Sequence, residues 1–298
     1  MLLLHFILAC EEGSKDGVSQ DSVDTPYEPE YQFSVLLIAD PHLEGGVEHQ
    51  NRLEKTVDWI EMRAEDYAIE MVIVLGDIGW GDGLEQSQRE LERLSMPYVP
   101  IIGDNEIHFG DQFRFFDVFE SRYRSLADEM DDWNDSFEPA FNPEYAEMHL
   151  FYNFAFSFRG IRFVALDWSS RSTSPILGEM GDLHHFDGGT YPWFEEEVRV
   201  WEQEPNSVFM ITHIPMYMNA GAFDIAEMAQ VEAVLAPYSD AIYANFAGHL
   251  HSDVQRELSL YSLYVLDAVW DDEISLRQVD VYRDQEKFIY TNTIHVVD

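Results

Sequence analysis

Five times along this chain a short apolar run ends in a polar residue able to donate an electron pair. The runs are FSVLLIAD (Phe33–Asp40), EMVIVLGD (Glu70–Asp77), YVPIIGD (Tyr98–Asp104), SVFMITHIP (Ser207–Pro215) and AIYANFAGHLH (Ala241–His251). Continuous apolar runs of this length read as strands buried on both faces. Helical patterns separate the first three, NRLEKTVDWIEMRAE from Asn51 and LEQSQRELERL from Leu84. Strand, helix, strand, helix, strand predicts an α/β layered fold with parallel pairing.

The remaining segments fill in that plan. Residues Asp111 to Met148 read as helices and loops capping the domain. Phe151 to Trp168 reads as a hairpin turning at Arg159-Gly160. A long polar loop covers Ser169 to Thr190, and a helix is expected over Trp193 to Gln203. Another helix follows over IAEMAQVEAVLAPY, and the tail carries strands in LYSLYVLDAVW, ISLRQVDVYR and KFIYTNTIHV. No solenoid-type repeat is visible. The length of 298 residues suits one large α/β domain or two small ones. The folded part is expected from residue 32 to 298.

Charge restricts the partners. With 17 Lys plus Arg against 57 Asp plus Glu, the formal net charge is -40. Such a surface repels polyanions, so long DNA or RNA is not an expected partner. It also keeps a protein soluble at high salt, where self-repulsion is screened.

Loops at the carboxyl ends of strands are where open α/β sheets place ligands. Here those tips present Asp40 and His42, then Asp77, then Asp104 and Asn105, then His213, then His249 and His251. Each residue alone has a plain explanation as a cap, a turn residue or a surface histidine. Together, five tips deliver carboxylate, amide and imidazole groups to one sheet edge. That mixed oxygen and nitrogen set suits Mn, Fe or Zn, and not Ca or a thiolate site.

The ordered series Asp-x-His, Gly-Asp, Gly-Asp-Asn-Glu, Thr-His-x-Pro and Gly-His-x-His resembles the calcineurin-like metallophosphoesterase superfamily over Phe33 to His251. The resemblance implies two packed mixed β-sheets flanked by helices, a four-layer sandwich. It implies two divalent metal ions and hydrolysis of a phosphate mono- or diester by a metal-bound hydroxide. Asp40, His42 and His251 match ligands of the first metal, Asp77 the bridging carboxylate, and His213 and His249 ligands of the second. The small phosphorylated substrate is not specified by these motifs.

Two positions depart from the family. Where Gly-Asn-His is usual, this chain has Gly103-Asp104-Asn105, so either Asp104 or, with a one-residue slip, Asn105 takes the ligand position. The family histidine near the leaving group is missing at Asn105; His108, His184 and His185 are candidates to replace it, each with a surface-histidine alternative. Purple acid phosphatases carry a Tyr ligand three residues after the bridging Asp. Here that residue is Trp80, whose indole offers no acceptor to a metal. The altered third motif also leaves open a non-catalytic metal-bearing scaffold or receptor for a phosphorylated ligand.

The first ten residues, MLLLHFILAC, form an apolar run too short to span a bilayer. Their ending resembles the lipobox of bacterial lipoproteins, which implies a lipid anchor at Cys10, the one cysteine. Residues 11 to 31 mix acidic residues, Ser, Gly and Pro and read as a flexible linker. The expected location is therefore secreted or attached to the cell envelope, with the membrane reached only through Cys10.

Overall fold

The computed structural model describes residues 28–174, 177–201, 204–271 and 273–297. The apolar run with Cys10, and the expected helix positions Glu202 and Gln203, lie outside the described residues. Among those residues no helix is long and apolar enough to cross a membrane.

The chain opens with β1 (Glu30–Ile38), α1 (Val47–Arg63), β2 (Ile69–Leu75), α2 (Gly83–Leu91), β3 (Tyr98–Ile101), a short α3 (Asp104–His108) and α4 (Gln112–Glu129). Then come β4 (Asp131–Asp135), β5 (Ala140–Asn142), β6 (Glu147–His149), β7 (Phe154–Phe158), β8 (Ile161–Leu166) and α5 (Thr190–Glu197). The last part holds β9 (Val208–Thr212), α6 (Ile225–Leu235), β10 (Ile242–Ala247), β11 (Val254–Glu257), β12 (Ser262–Val265), β13 (Ile274–Asp284) and β14 (Lys287–Val297). β1 starts at Glu30, where Glu30 and Tyr31 already pair with Arg283 and Tyr282.

Two mixed sheets result. One has the order β14-β13-β1-β2-β3, the other β11-β12-β10-β9-β8-β7-β4, and β5 and β6 form a separate small ladder. The pairs β1–β2 and β2–β3 are parallel, as are β8–β9, β9–β10 and β10–β12. This is the α/β layering with parallel pairs expected from the strand and helix order, and the two helix-flanked sheets that the family resemblance implies.

Side-chain alternation explains why these strands read as unbroken apolar runs. Along β9, Phe209 and Ile211 join the core between the sheets, whereas Val208 and Met210 join the outer core with Phe194 of α5 and Val231 of α6. β8 divides the same way, Phe163 and Ala165 inward against Val164 and Leu166 outward. Successive strand residues point to opposite faces, and here both faces are covered. On the other sheet, α1 contributes buried Leu53, Val57 and Ile60.

The expected hairpin forms between β7 and β8. Phe158 pairs with Ile161, and the two loop residues Arg159 and Gly160 have φ of 49° and 85°. A two-residue loop with both φ positive matches the right-handed twist of the strands it joins. The segment Asp111 to Met148 departs from a purely helical and loop reading, because β4 (DDWND) adds an edge strand to β7. Its acidic residues are exposed, so it carries no apolar signal.

A buried ion pair secures the start of the long loop after β8. Arg171 meets Asp167 at 2.6 Å with both side chains fully buried. The Asp167 carboxylate also accepts the backbone N–H groups of Tyr152 and Ser169. Removing one partner of such a pair strands a charge in the core. Arg171→Ala should therefore lower unfolding free energy by roughly 3–5 kcal/mol, measured by urea denaturation.

Candidate metal centre

The carboxyl ends of β1, β2, β3, β9 and β10 converge, and each delivers its tip residues to one place. Asp40, His42, Asp77 and His251 offer ligand atoms within 4.8 Å of one another, and so do Asp104, His213 and His249. Asp77 joins the two groups. Its Oδ2 lies 3.1 Å from His42 Nε2, and its Oδ1 lies 3.4 Å from His213 Nε2. Within the second group Asp104 Oδ1 is 2.7 Å from His213 Nε2 and 3.1 Å from His249 Nδ1.

Backbone conformation is unusual at these positions. Five of the seven residues, Asp40, His42, Asp77, His249 and His251, have φ between 46° and 73°. Left-handed backbone costs a non-glycine residue of order 1 kcal/mol or more, and it persists only where surrounding structure enforces it. The glycines beside them are needed for close approach. A Cβ on Gly76 would come within 2.4 Å of the His213 ring, and one on Gly103 within 2.1 Å of Asp77 Oδ1. On Gly248 it would meet Asp40 Oδ2 at 2.6 Å.

Acceptors outside the clusters orient the imidazoles. His213 Nδ1 donates to the Leu75 carbonyl at 2.8 Å, which points Nε2 at Asp77 and Asp104. His249 Nε2 donates to the Gly221 carbonyl at 2.9 Å, which leaves Nδ1 facing Asp104. A carbonyl can only accept, so each contact sets the tautomer. His42 Nε2 is buried, 3.1 Å from Asp77 Oδ2 and 3.7 Å from Asp40 Oδ1. A buried nitrogen aimed among carboxylates fits a cation ligand. The donor set fits a pair of divalent ions on the same grounds, mixing carboxylate oxygens with oriented imidazole nitrogens.

Electrostatics point the same way. Burial alone would lower the His42 pKa, but Asp40 and Asp77 override it and raise it to about 9. His213 and His249 are likewise raised against the effect of burial, by Asp77 and Asp104 for the first and chiefly by Asp104 for the second. Burial works to raise the Asp40 and Asp104 carboxyls; facing histidines hold both well below the usual range. The site therefore attracts positive charge strongly.

The two candidates of the third motif are placed differently: Asp104 lies in the second cluster, whereas Asn105 turns to Asp77. The Asn105 backbone N–H donates to Asp77 Oδ1 at 2.9 Å and its side-chain amide donates to Asp77 Oδ2. Beginning α3 at Asp104 sets this phase. Sequence reasoning passed over Glu106. It is fully buried and accepts the N–H groups of Gly79 at 2.9 Å and Gly103 at 2.8 Å, so it ties together the loops that carry Asp77 and Asp104. Burial and the Asp77 charge push its pKa up to about 8.

The other candidate histidines stand outside both clusters. His108 is exposed at the end of α3, its ring against Phe109. His185 is exposed beside Tyr191. His184 is a core residue rather than a surface one. Its Nε2 donates to the Ser169 carbonyl at 3.0 Å, its ring packs on Phe151, and burial lowers its pKa to about 4.

His184 thus stays neutral in the folded chain where the unfolded chain takes up a proton. The stability it contributes is complete above about pH 6.5 and declines as pH falls from there toward about 4. Urea titrations across that window should show the decline, with a shallower slope in His184→Phe.

A family model described as calcineurin-like phosphoesterase matches residues 33–253. No curated protein sequence matches the chain at a significant level. Among solved structures, a candidate 5′-nucleotidase from Staphylococcus aureus aligns at 13% identity with a TM-score of 0.54, over 89% of this chain and 54% of that one. The chain thus spans about half the length of that protein. An archaeal phosphodiesterase aligns at 13% identity and TM-score 0.42, over 88% of this chain and 100% of that one. GAP50, the anchor in the inner membrane complex of Plasmodium, aligns at 9% identity and TM-score 0.47, over 90% and 89%. At these identities the first of the three bears on the fold alone.

Proposed function

The chain belongs to the calcineurin-like phosphoesterase family of metal-dependent hydrolases, and on that premise we propose that it hydrolyses a phosphate mono- or diester at the site centred on Asp77. Asp40, His42, Asp77 and His251 would hold one divalent ion, and Asp77, Asp104, His213 and His249 a second. Mn, Fe or Zn suits that donor set. The observation that carries the reading is Asp77, whose two oxygens face two separate ligand groups. Ions bound there would supply the positive charge that activates water near neutral pH and offsets charge on the phosphate.

The chain's own residues divide the remaining work. Asn105 holds both Asp77 oxygens from one side, so the carboxylate keeps its orientation between the two groups. Glu106 fixes the spacing of the Asp77 and Asp104 loops. No acid stands at Asn105, because a carboxamide does not give up a proton near neutral pH. His108, three residues along α3, is the candidate to protonate a leaving group. The substrate would be small and phosphorylated, since a surface of this charge repels long nucleic acids. The ending of MLLLHFILAC supports a secreted or envelope-anchored location through a lipid on Cys10.

The test is hydrolysis of bis-p-nitrophenyl and p-nitrophenyl phosphate with Mn²⁺ and with chelator. Turnover should require metal. Asp77→Ala should lose at least about 100-fold in metal affinity and rate, and wild-type turnover in that variant would refute the site. No turnover by folded, metal-loaded wild type would favour a non-catalytic scaffold or receptor for a phosphorylated ligand.

Asn105→His tests the missing acid. It should speed alkyl phosphates, with their poor leaving groups, at least about ten-fold. If alkyl phosphates are instead already cleaved well and His108→Ala abolishes that turnover, the acid is His108.

A further inference from the structure

An aromatic surface stands at the edge of the site on its Asn105 side. Asn105 and Phe109 are one helical turn apart, joined by the Phe109 N–H to Asn105 carbonyl bond at 2.9 Å, so they share a face. The Phe109 ring stacks on Trp80, with centroids 4.7 Å apart and planes at 18°. Trp80 in turn meets His42 edge to face at 5.5 Å. From the ligand His42, the surface therefore runs through Trp80 to Phe109 without a break.

This surface is held in place yet open. The Gly81 N–H donates to the Asp111 carboxylate at 2.6 Å, and Gly79 donates to Glu106 at 2.9 Å. These bonds fasten the loop carrying Trp80 to the segment carrying Phe109. Phe109 nevertheless stays 53% exposed. Trp80 covers one ring face and the His108 ring meets Phe109 at right angles with centroids 5.3 Å apart, and the rest of the side chain is open. A large aromatic ring, fixed and half open beside an ion site, suits a stacking partner.

Resting on the phosphoesterase reading above, we propose that Trp80 and Phe109 form a stacking platform for the leaving group and that the substrate class is the aryl phosphate esters. The missing acid at Asn105 favours the same class. A phenol is as acidic as a tyrosine side chain, near a pKa of about 10, and leaves without a proton far more readily than an alkanol. In the reaction the water oxygen forms a bond to phosphorus as the bond from phosphorus to the aryl oxygen breaks. The aryloxide leaves with the bonding pair. Of the two water protons one stays on the phosphate, and the other reaches the aryloxide through solvent.

The experiment compares phenyl phosphate with acetyl phosphate, a small mixed anhydride with a good leaving group and no ring, on the full metal-loaded chain. Phe109→Ala should cut the preference for phenyl over acetyl phosphate about ten-fold, mainly through KM for the phenyl ester. Phe109→Tyr should restore it. Separately, phenylphosphonate should quench tryptophan fluorescence on binding, and both Phe109→Ala and Trp80→Leu should weaken that binding. Equal losses on both substrates, or unchanged phenylphosphonate binding in folded variants, would overturn the platform. Hydrolysis of neither compound, nor of bis-p-nitrophenyl phosphate, by the wild type would refute the phosphoesterase reading instead, and the phenylphosphonate titration would still decide the platform.

Discussion

Three carboxylates, Asp40, Asp77 and Asp104, are buried in one patch, and burying like charges together demands positive charge nearby. The chain meets that demand with His42, His213, His249 and His251 around them. Without an ion, protons on imidazole supply the charge, which is why His42 is raised to about 9 despite burial. A pair of divalent cations would satisfy the same constraint with neutral imidazoles. The left-handed backbone at five of these positions is the conformational cost of bringing the groups together.

The fold makes that convergence rigid. Both sheets point the carboxyl ends of parallel strands at the same place, and the junction between them is tight. The His213 ring, from β9, lies against Gly76 at the end of β2 and donates to Leu75. The His249 N–H, after β10, donates to Asp40 after β1. Each cluster therefore draws on both sheets, and neither sheet could assemble it alone. Glu106 performs a similar service within one sheet, linking the tips of β2 and β3 through two backbone N–H groups.

Much of this was legible along the chain. The strands carrying the site are buried on both faces, so their apolar runs stand out, and the polar tips break each run abruptly. Asp40, His42, Asp77, His213, His249 and His251 could be picked out for that reason, and the tertiary structure gathers them. Other features gave no signal. β4 is acidic and exposed, Glu106 looks like any helical glutamate, and the Gly221 carbonyl that orients His249 lies in an unremarkable loop. His184 reads as one more loop histidine, yet Phe151 and the Ser169 carbonyl enclose it.

The sequence by itself determined the order of the site-bearing strands and the helices between the first three, the polar groups at the tips and the family resemblance, because these depend on local periodicity and on residue types at short spacing. Only the tertiary structure set Asp104 beside His213 and His249 and turned Asn105 to Asp77, because that placement turns on where α3 begins and on contacts to residues more than a hundred positions away, just after β9 and β10. It also decided that Trp80, Phe109 and His42 form one continuous surface. Stacking and hydrogen bonding between distant loops are pairwise facts of space, and no run of neighbouring residues encodes them.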